Sequence, residues 1–426
     1  MSSAHPQPSD PIRWCITIAA IFWVLTLIRL TIPGAPYFDE VHYLPAARDL
    51  LALDGYPNRE HPMLGKLIIA AGITLFGDGP LGWRVFPSLF GALAIFAGMR
   101  AMWFASRQSF AAIAFGILLA SGFLIFVHAR IAMLDIFMLA FLLTALWQCA
   151  AAVREAENGR WRLAAAGIAL GCAMASKWNA VPLAMLPGIA FFVARVLAHR
   201  RRPFLSKRGA PVPGVSLAEA FVWLGIVPLA VYALTFVPMY FADGSPLGQS
   251  GLIALHREII DLQGSVVTPH PYQSQWLQWM LNHRAIWYLY ELADGAQRGV
   301  LLIGNPLTML LGLPAMAWAA WAGIWRGRTD CWAVLVLYVV SLGMWIVAAK
   351  PIQFYYHYLL PSCFLLAALA LALDEIWRRG GRWRWGSLAV LAGSVGIFAW
   401  FYPILSAAPL EGEQAYAEWM WLDSWR

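Results

Sequence analysis

Charge is what this 426-residue chain has least of. Asp, Glu, Lys and Arg make up only 12% of it, roughly half the fraction in soluble globular domains. With 61% hydrophobic residues beside that shortage, a soluble protein is excluded, and an integral membrane protein remains. Cysteine is scarce as well. Cys15, Cys149, Cys172, Cys331 and Cys363 lie in or beside apolar runs without ligand spacing, so neither a disulfide framework nor a metal cluster is indicated. Polar–apolar alternation is missing too. The apolar runs are long and continuous, which excludes a membrane β-barrel. Internal repeats and low-complexity tracts do not stand out. The net charge of +7 belongs to loops on the cytoplasmic side rather than to a nucleic-acid surface.

Long apolar runs are what the sequence does have. They cover 12–30, 84–104, 109–128, 131–150, 161–176, 178–197, 217–240, 300–323, 331–349, 357–376 and 385–402, eleven in all. Each approaches the ~20 residues that a bilayer requires, so the expectation is an all-α polytopic protein with about 11 transmembrane helices. Twenty-three Trp and 14 Tyr suit its many interfacial positions. Residues 1–10 are polar and the first run lacks a small-residue cleavage site, so it reads as an uncleaved span. A cytoplasmic N-terminus puts the basic stretches Arg100–Arg107, Arg154–Arg162, Arg195–Arg208, Arg326–Arg328 and Arg378–Arg384 all inside, as the bias of Lys and Arg toward cytoplasmic loops demands. Residues 1–402 then form one multi-span domain, with long extracytoplasmic segments at 31–83 and 241–299. An extracytoplasmic tail follows at 403–426.

Those outer segments hold the groups able to do chemistry. In 31–83, the run 63–76 is too short to span and reads as an interfacial or re-entrant helix. In 241–299, "YQSQWLQWMLNHRAIWYLYE" reads as a helix lying on the membrane surface. Asp39 and Glu40, just past the first span, read either as a helix cap with a solvated charge or as a general base at a membrane-facing site. His61 and Lys66 in "NREHPMLGK" either cap and snorkel or meet a lipid phosphate. Arg84 is an interfacial anchor or an anion partner. Arg130 and Asp135 in "HARIAMLD" pair with each other or touch substrate, Asp135 standing in an apolar run where a lone carboxylate is costly. Lys177 in "ASKWN" offers a phosphate counter-charge, and Tyr355 and His357 lie in "KPIQFYYHYLLP". Acidic and basic groups thus gather on one side, next to lipid. That pattern suits chemistry on a lipid-linked anion better than midplane ion coupling.

In "FDEVHY", "HPMLGK", "WRVFPSLFG", "HARIAMLD", "ASKWN", "IGNPLTMLLG" and "FYYHYLLP", taken in order across residues 35–375, the chain resembles the dolichyl-phosphate-mannose protein mannosyltransferases. That family comprises phospholipid-carrier-dependent enzymes with the membrane glycosyltransferase C-type fold. The resemblance implies that a prenyl-phosphate sugar enters from the outer leaflet and that an acceptor hydroxyl attacks its anomeric carbon. Asp39 would be the catalytic carboxylate and Glu40 its acidic neighbour. Arg84 matches an arginine that family members need. His61, Lys66, Arg130 and Lys177 would line the lipid-phosphate side, with Asp135 organising them, and Tyr355 and His357 are carried along as substrate-binding positions. The chain departs from the family in two places. Met63 stands where a second proline is usual after His61-Pro62, and the loop around 264–284 matches loosely. The inserted sugar-binding-like domain of eukaryotic members is missing, as in bacterial forms.

The expected function is therefore transfer of mannose, or another hexose, from a polyprenyl phosphate to Ser or Thr of exported proteins at the outer face of a bacterial inner membrane. Transfer to lipid A, cell-wall glycan or another lipid is the alternative, and a lipid or solute transporter is a third reading. No metal ligand set can be counted, and a divalent cation stays open as a cofactor.

Overall fold

The computed structural model describes residues 9–426 except 57, 199–203, 266 and 349. Arg200, Arg201 and Arg202 of the third basic loop lie outside the described residues. Among those described, eight helices are long and apolar enough to cross a membrane. The other three apolar runs form shorter or more polar helices. α1 (Ile12–Leu27) has 16 residues. The run 109–128 breaks at Ser121 and Gly122 into α5 (Ser109–Ala120) and α6 (Phe123–His128). α8 (Gly159–Ser176) carries Arg160 and Arg162 in its first turn.

Between α1 and α5 come α2 (Glu40–Ala52), α3 (Leu64–Phe76) and α4 (Pro80–Ser106). α7 (Asp135–Arg154) precedes α8, and α9 (Val181–Ala198) follows it after a single 3-10 turn, Trp178–Ala180. α10 (Leu217–Phe221), a π-helical turn at Val222–Ile226 and α11 (Val227–Leu234) then run as one span. Next come α12 (Pro246–Gln263) and α13 (Trp276–Met280). The last four helices are α14 (Pro306–Trp325), α15 (Thr329–Val347), α16 (Leu359–Arg378) and α17 (Trp383–Leu405). The span containing α16 has 83% of its apolar window buried, against 22% for the α10–α11 span. The first is therefore the central post of the bundle and the second faces lipid.

Within lipid, helices gain little from hydrophobic burial and associate through close backbone approach at small residues. Gly72 of α3 shows this, because a Cβ there would stand 2.2 Å from the carbonyl oxygen of Gly82 in α4. Gly72→Val should separate α3 from α4 and lower the thermal midpoint of the purified protein. Gly343→Val, at a position with open space around it, should leave that midpoint in place.

The 31–83 and 241–299 segments depart from expectation in one respect. A helix does form at Leu64–Phe76 as read, but the expected surface helix over 272–291 is only the five-residue α13. The chain then turns extended as β1 (Ile286–Ala293), which pairs antiparallel with β2 (Ala296–Leu302). The cause is local. Asp294 and Gly295 both adopt positive φ, 47° and 74°, and an Asp-Gly pair with two left-handed residues is a preferred two-residue hairpin turn. Aromatic and β-branched side chains in Ile286–Tyr290 favour the strand. The apolar run at 300–323 accordingly begins as strand, and helix starts only at Pro306. The tail packs back on this hairpin, with Leu410 N–H donating to the Gln297 carbonyl at 2.8 Å.

These two segments are laced together. Asp243 exchanges backbone bonds with Leu53 and Gly55, Arg59 pairs with Glu258 at 2.8 Å, and Gln263 donates to the Glu60 carbonyl. Beneath them Tyr56, Met63, Phe236, Met239, Leu255 and Ile259 form a second apolar core. It fixes the floor on which the polar groups converge.

Candidate active site

Asp39 is the N-cap of α2, yet its carboxylate does not cap that helix. It takes no hydrogen bond from any described side chain or backbone group and stays partly open. Burial pushes its pKa up to about 6, a rise moderated by the Lys177 ammonium and reinforced by the Asp135 carboxylate. A carboxylate kept unpartnered and poised near neutrality is what proton abstraction requires.

Glu40, one residue on, is the opposite case. It is fully buried, and both oxygens are engaged: Oε1 accepts from Arg84 Nε at 2.8 Å and Ala132 N at 3.0 Å, and Oε2 from Arg84 Nη2 at 2.7 Å and Tyr37 N at 3.3 Å. Arg84, equally buried, also donates to the carbonyls of Leu30, Pro33 and Ala35. The pair fastens the loop after α1 to α4 and to the segment between α6 and α7, one residue along the chain from Asp39.

Most of the expected cations are likewise occupied by backbone. Lys66 donates to the carbonyls of Asn58 and His61 at 2.8 and 2.9 Å and lies over the Tyr56 ring. Arg130 binds the carbonyls of Thr26, Ile28 and Arg29 at the end of α1 and that of Ser406 after α17. It does not pair with Asp135. Asp135 instead bonds Lys177 at 2.7 Å, both nearly buried, and its second oxygen, Oδ1, has no partner among the described residues. Lys177 also lies 5.2 Å from the centroid of the Tyr356 ring. His61 stands edge-on to Tyr43, and burial first, then Lys177, Lys350 and Lys66, hold it well below the usual histidine range, so it is neutral at pH 7.

Tyr355 falls outside this group. Its hydroxyl bonds Asn282 Oδ1 and accepts from Gly304 N, pinning the end of β2 to α13's loop. His357 accepts from Phe354 N at Nδ1 and packs on Trp345 at 3.9 Å. Residues that the sequence reading did not assign to the site are Lys350, Tyr43, Tyr288 and Tyr356. Lys350 carries the clearest signal, being a lysine at the end of an apolar run. It is half-buried, and burial foremost, then Lys177, brings its pKa down to about 8 against the pull of Asp135 and Asp39. It also lines an apolar cavity of about 640 Å³ with Met174, Trp178, Pro182, Leu229 and Met344. Among the described residues no three His, Cys, Asp or Glu side chains are grouped to hold a metal ion.

The fold has counterparts among solved structures. The S. cerevisiae protein O-mannosyltransferase Pmt1–Pmt2 complex bound to the sugar donor aligns with a TM-score of 0.82 at 14% identity, over 98% of this chain and 93% of that one. ArnT from Cupriavidus metallidurans bound to undecaprenyl phosphate aligns at 0.57 and 15% identity, over 92% and 77%. This chain is thus a polytopic membrane protein with a glycosyltransferase C-type fold. Residues 60–227 match the family model of dolichyl-phosphate-mannose-protein mannosyltransferase, and 249–425 match that of the C-terminal four-transmembrane region of protein O-mannosyltransferase. The chain belongs to this protein mannosyltransferase family. It is 27% identical, over 97% of its length and 93% of the relative's, to the polyprenol-phosphate-mannose–protein mannosyltransferase of Mycolicibacterium smegmatis.

Proposed function

We propose that the protein transfers mannose from a polyprenyl-phosphate carrier to Ser or Thr hydroxyls of exported polypeptides, at the outer face of a bacterial inner membrane. The N-terminus is cytoplasmic, the eleven apolar runs all cross, with α1, α5–α6 and α8 as the short spans, and residues 403–426 lie outside with the 31–83 and 241–299 segments. Family membership carries the reaction class, and the unpartnered Asp39 carboxylate beside Lys177 is the observation that carries the site.

In this reading Asp39 takes the proton of the acceptor hydroxyl as its oxygen attacks the anomeric carbon, and the polyprenyl phosphate leaves. Glu40 and Arg84 hold Asp39 in place and do not touch substrate. Lys66 and Arg130 likewise act by fixing backbone. Lys177, although paired with Asp135, and Lys350 are the cations that meet the phosphate, where fixed positive charge stabilises the leaving group. The apolar cavity running from Lys350 past Trp178 to Leu229 takes the first isoprene units.

The test is incubation of the purified protein in nanodiscs with polyprenyl-phosphate mannose and a panel of Ser/Thr peptides and lipid acceptors, scored for hexose addition by mass spectrometry. Product on peptide is expected. Product on lipid alone would replace the protein acceptor with a lipid one, and no product on any acceptor would overturn the reading. Within that assay Lys350→Met should raise the donor KM by about tenfold, the ~1.4 kcal/mol scale of a charge-assisted phosphate contact, and the peptide KM should stay put.

A further inference from the structure

The residue immediately before Asp39 is held in an uncommon conformation. Phe38 has φ 49°, a left-handed backbone that a bulky aromatic residue rarely adopts and that persists only where its surroundings enforce it. What enforces it comes from a distant part of the chain. The Phe38 ring is stacked on Tyr288 of β1, centroids 3.7 Å apart and planes 16° from parallel.

Tyr288 is itself specially placed. In the hairpin Trp287 faces Leu301 and Leu289 faces Val300, so Tyr288 is the extra residue at a break in register. Such bulges re-aim a side chain, and this one sends the Tyr288 ring inward, where it is buried. Its hydroxyl meets His128 Nε2 at 3.3 Å. His128 Nδ1 donates to the Leu124 carbonyl at 2.7 Å, which leaves Nε2 as the acceptor for the tyrosine proton. A chain of contacts therefore runs from α6 through Tyr288 to Phe38 and ends on the backbone of Asp39. On the other side of Asp39 in the chain, Glu40 is held by Arg84.

We infer that Tyr288, braced by His128, is a positioning residue that locks Phe38 in its left-handed conformation and thereby aims the Asp39 carboxylate. This rests on the reading of Asp39 as the base. The hairpin then serves the reaction although it lies roughly 250 residues away in sequence. Its bulge, not its turn, is the working part.

The experiment compares Tyr288→Ala, Tyr288→Phe and Phe38→Gly in the transfer assay and in an infrared titration of the Asp39 carboxyl band, identified by its loss in Asp39→Asn. Tyr288→Ala should lower kcat by about 10²-fold, the scale of an ångström-sized misplacement, with donor KM nearly unchanged. It should also open Asp39 further to water, so that its titration midpoint falls from about 6 toward the usual carboxylate range. The charges facing Asp39, namely Lys177, Asp135, His42 and Lys350, remain in every variant. Tyr288→Phe keeps the ring and loses only the His128 bond, so the rate should drop a few-fold with the midpoint near that of the wild type. Phe38→Gly accepts positive φ without strain but loses the stack, and should follow Tyr288→Ala even if that variant fails to accumulate. Wild-type rate and midpoint in both Tyr288→Ala and Phe38→Gly would overturn the inference. Equal loss in Tyr288→Phe and Tyr288→Ala would also overturn it, since the hydroxyl and not the stack would then be what matters. If the wild type transfers no hexose at all but the midpoint still moves, the functional reading fails and the positioning role stands.

Discussion

Asp39→Asn is expected to abolish hexose transfer, lowering kcat by about 10²–10⁴-fold, the usual contribution of a general base. The donor should still bind, because the amide is isosteric and Lys177 and Lys350 are untouched. A pH profile of kcat/KM makes the same point without mutation. With Asp39 as the proposed base, rate is lost as pH falls through about 6 and the carboxylate is protonated; with Lys350 as the proposed phosphate contact, rate is lost as pH rises through about 8 and the ammonium is deprotonated. A bell with those limbs is expected, and Lys350→Met should remove only the alkaline one. Stability should run the other way for Asp39. Its folded-state pKa is raised, so between the usual carboxylate value and about 6 the folded protein holds the extra proton, and this group's contribution to stability declines as pH rises through that window. Asp39→Asn should accordingly be at least as stable as wild type at pH 7.5, by thermal unfolding in nanodiscs. An active Asp39→Asn protein would remove the carboxylate from the mechanism.

The second large effect concerns Arg84 and Glu40, whose side chains are both wholly buried. Removing one member of such a pair leaves an uncompensated charge and costs about 3–5 kcal/mol, whereas replacing both by apolar groups of similar volume is close to neutral. Arg84→Ala also frees the carbonyls of Leu30, Pro33 and Ala35. Either Arg84→Ala or Glu40→Leu should accumulate poorly and unfold early. The double variant Arg84→Met/Glu40→Leu should regain most of the thermal stability. It should not regain activity, because the loop that presents Asp39 has lost its anchor. Measuring midpoint and rate together separates the two roles: recovery of both would make the pair a matter of stability alone.

The sequence announces its spans through continuous apolar runs, and the cut points through Arg clusters. What it conceals is where helix yields to something else. The run at 300–323 is as apolar in β2 as in α14, and periodicity cannot tell a buried strand from a buried helix over so few residues. The Asp294-Gly295 turn was the available signal. The site shows a similar division. Asp39, Glu40, Lys66, Arg84, Arg130, Asp135 and Lys177 stand out because a charge near lipid needs a reason. Which reason applies depends on partners far away in the chain. Arg130 meets carbonyls at 26, 28, 29 and 406, none of them marked in the sequence as acceptors, since every residue has a carbonyl. Lys177 and Asp135 find each other across 42 positions. Tyr288 is hidden for the same reason, being one aromatic residue among many.

The joint between α1 and α17 also sets a timetable. Arg29 bonds the side chain of a serine synthesised 377 residues later, and Arg130 the carbonyl of that same Ser406, 276 residues later. At about 5–20 residues per second, the first helix waits roughly 20–80 s for the partner that ties down its end. A nascent chain has thus already made Asp39, Lys177 and Lys350 while the end of α1 still lacks its Ser406 partner. The end of α1 is therefore tied down last, by the turn that follows the final helix.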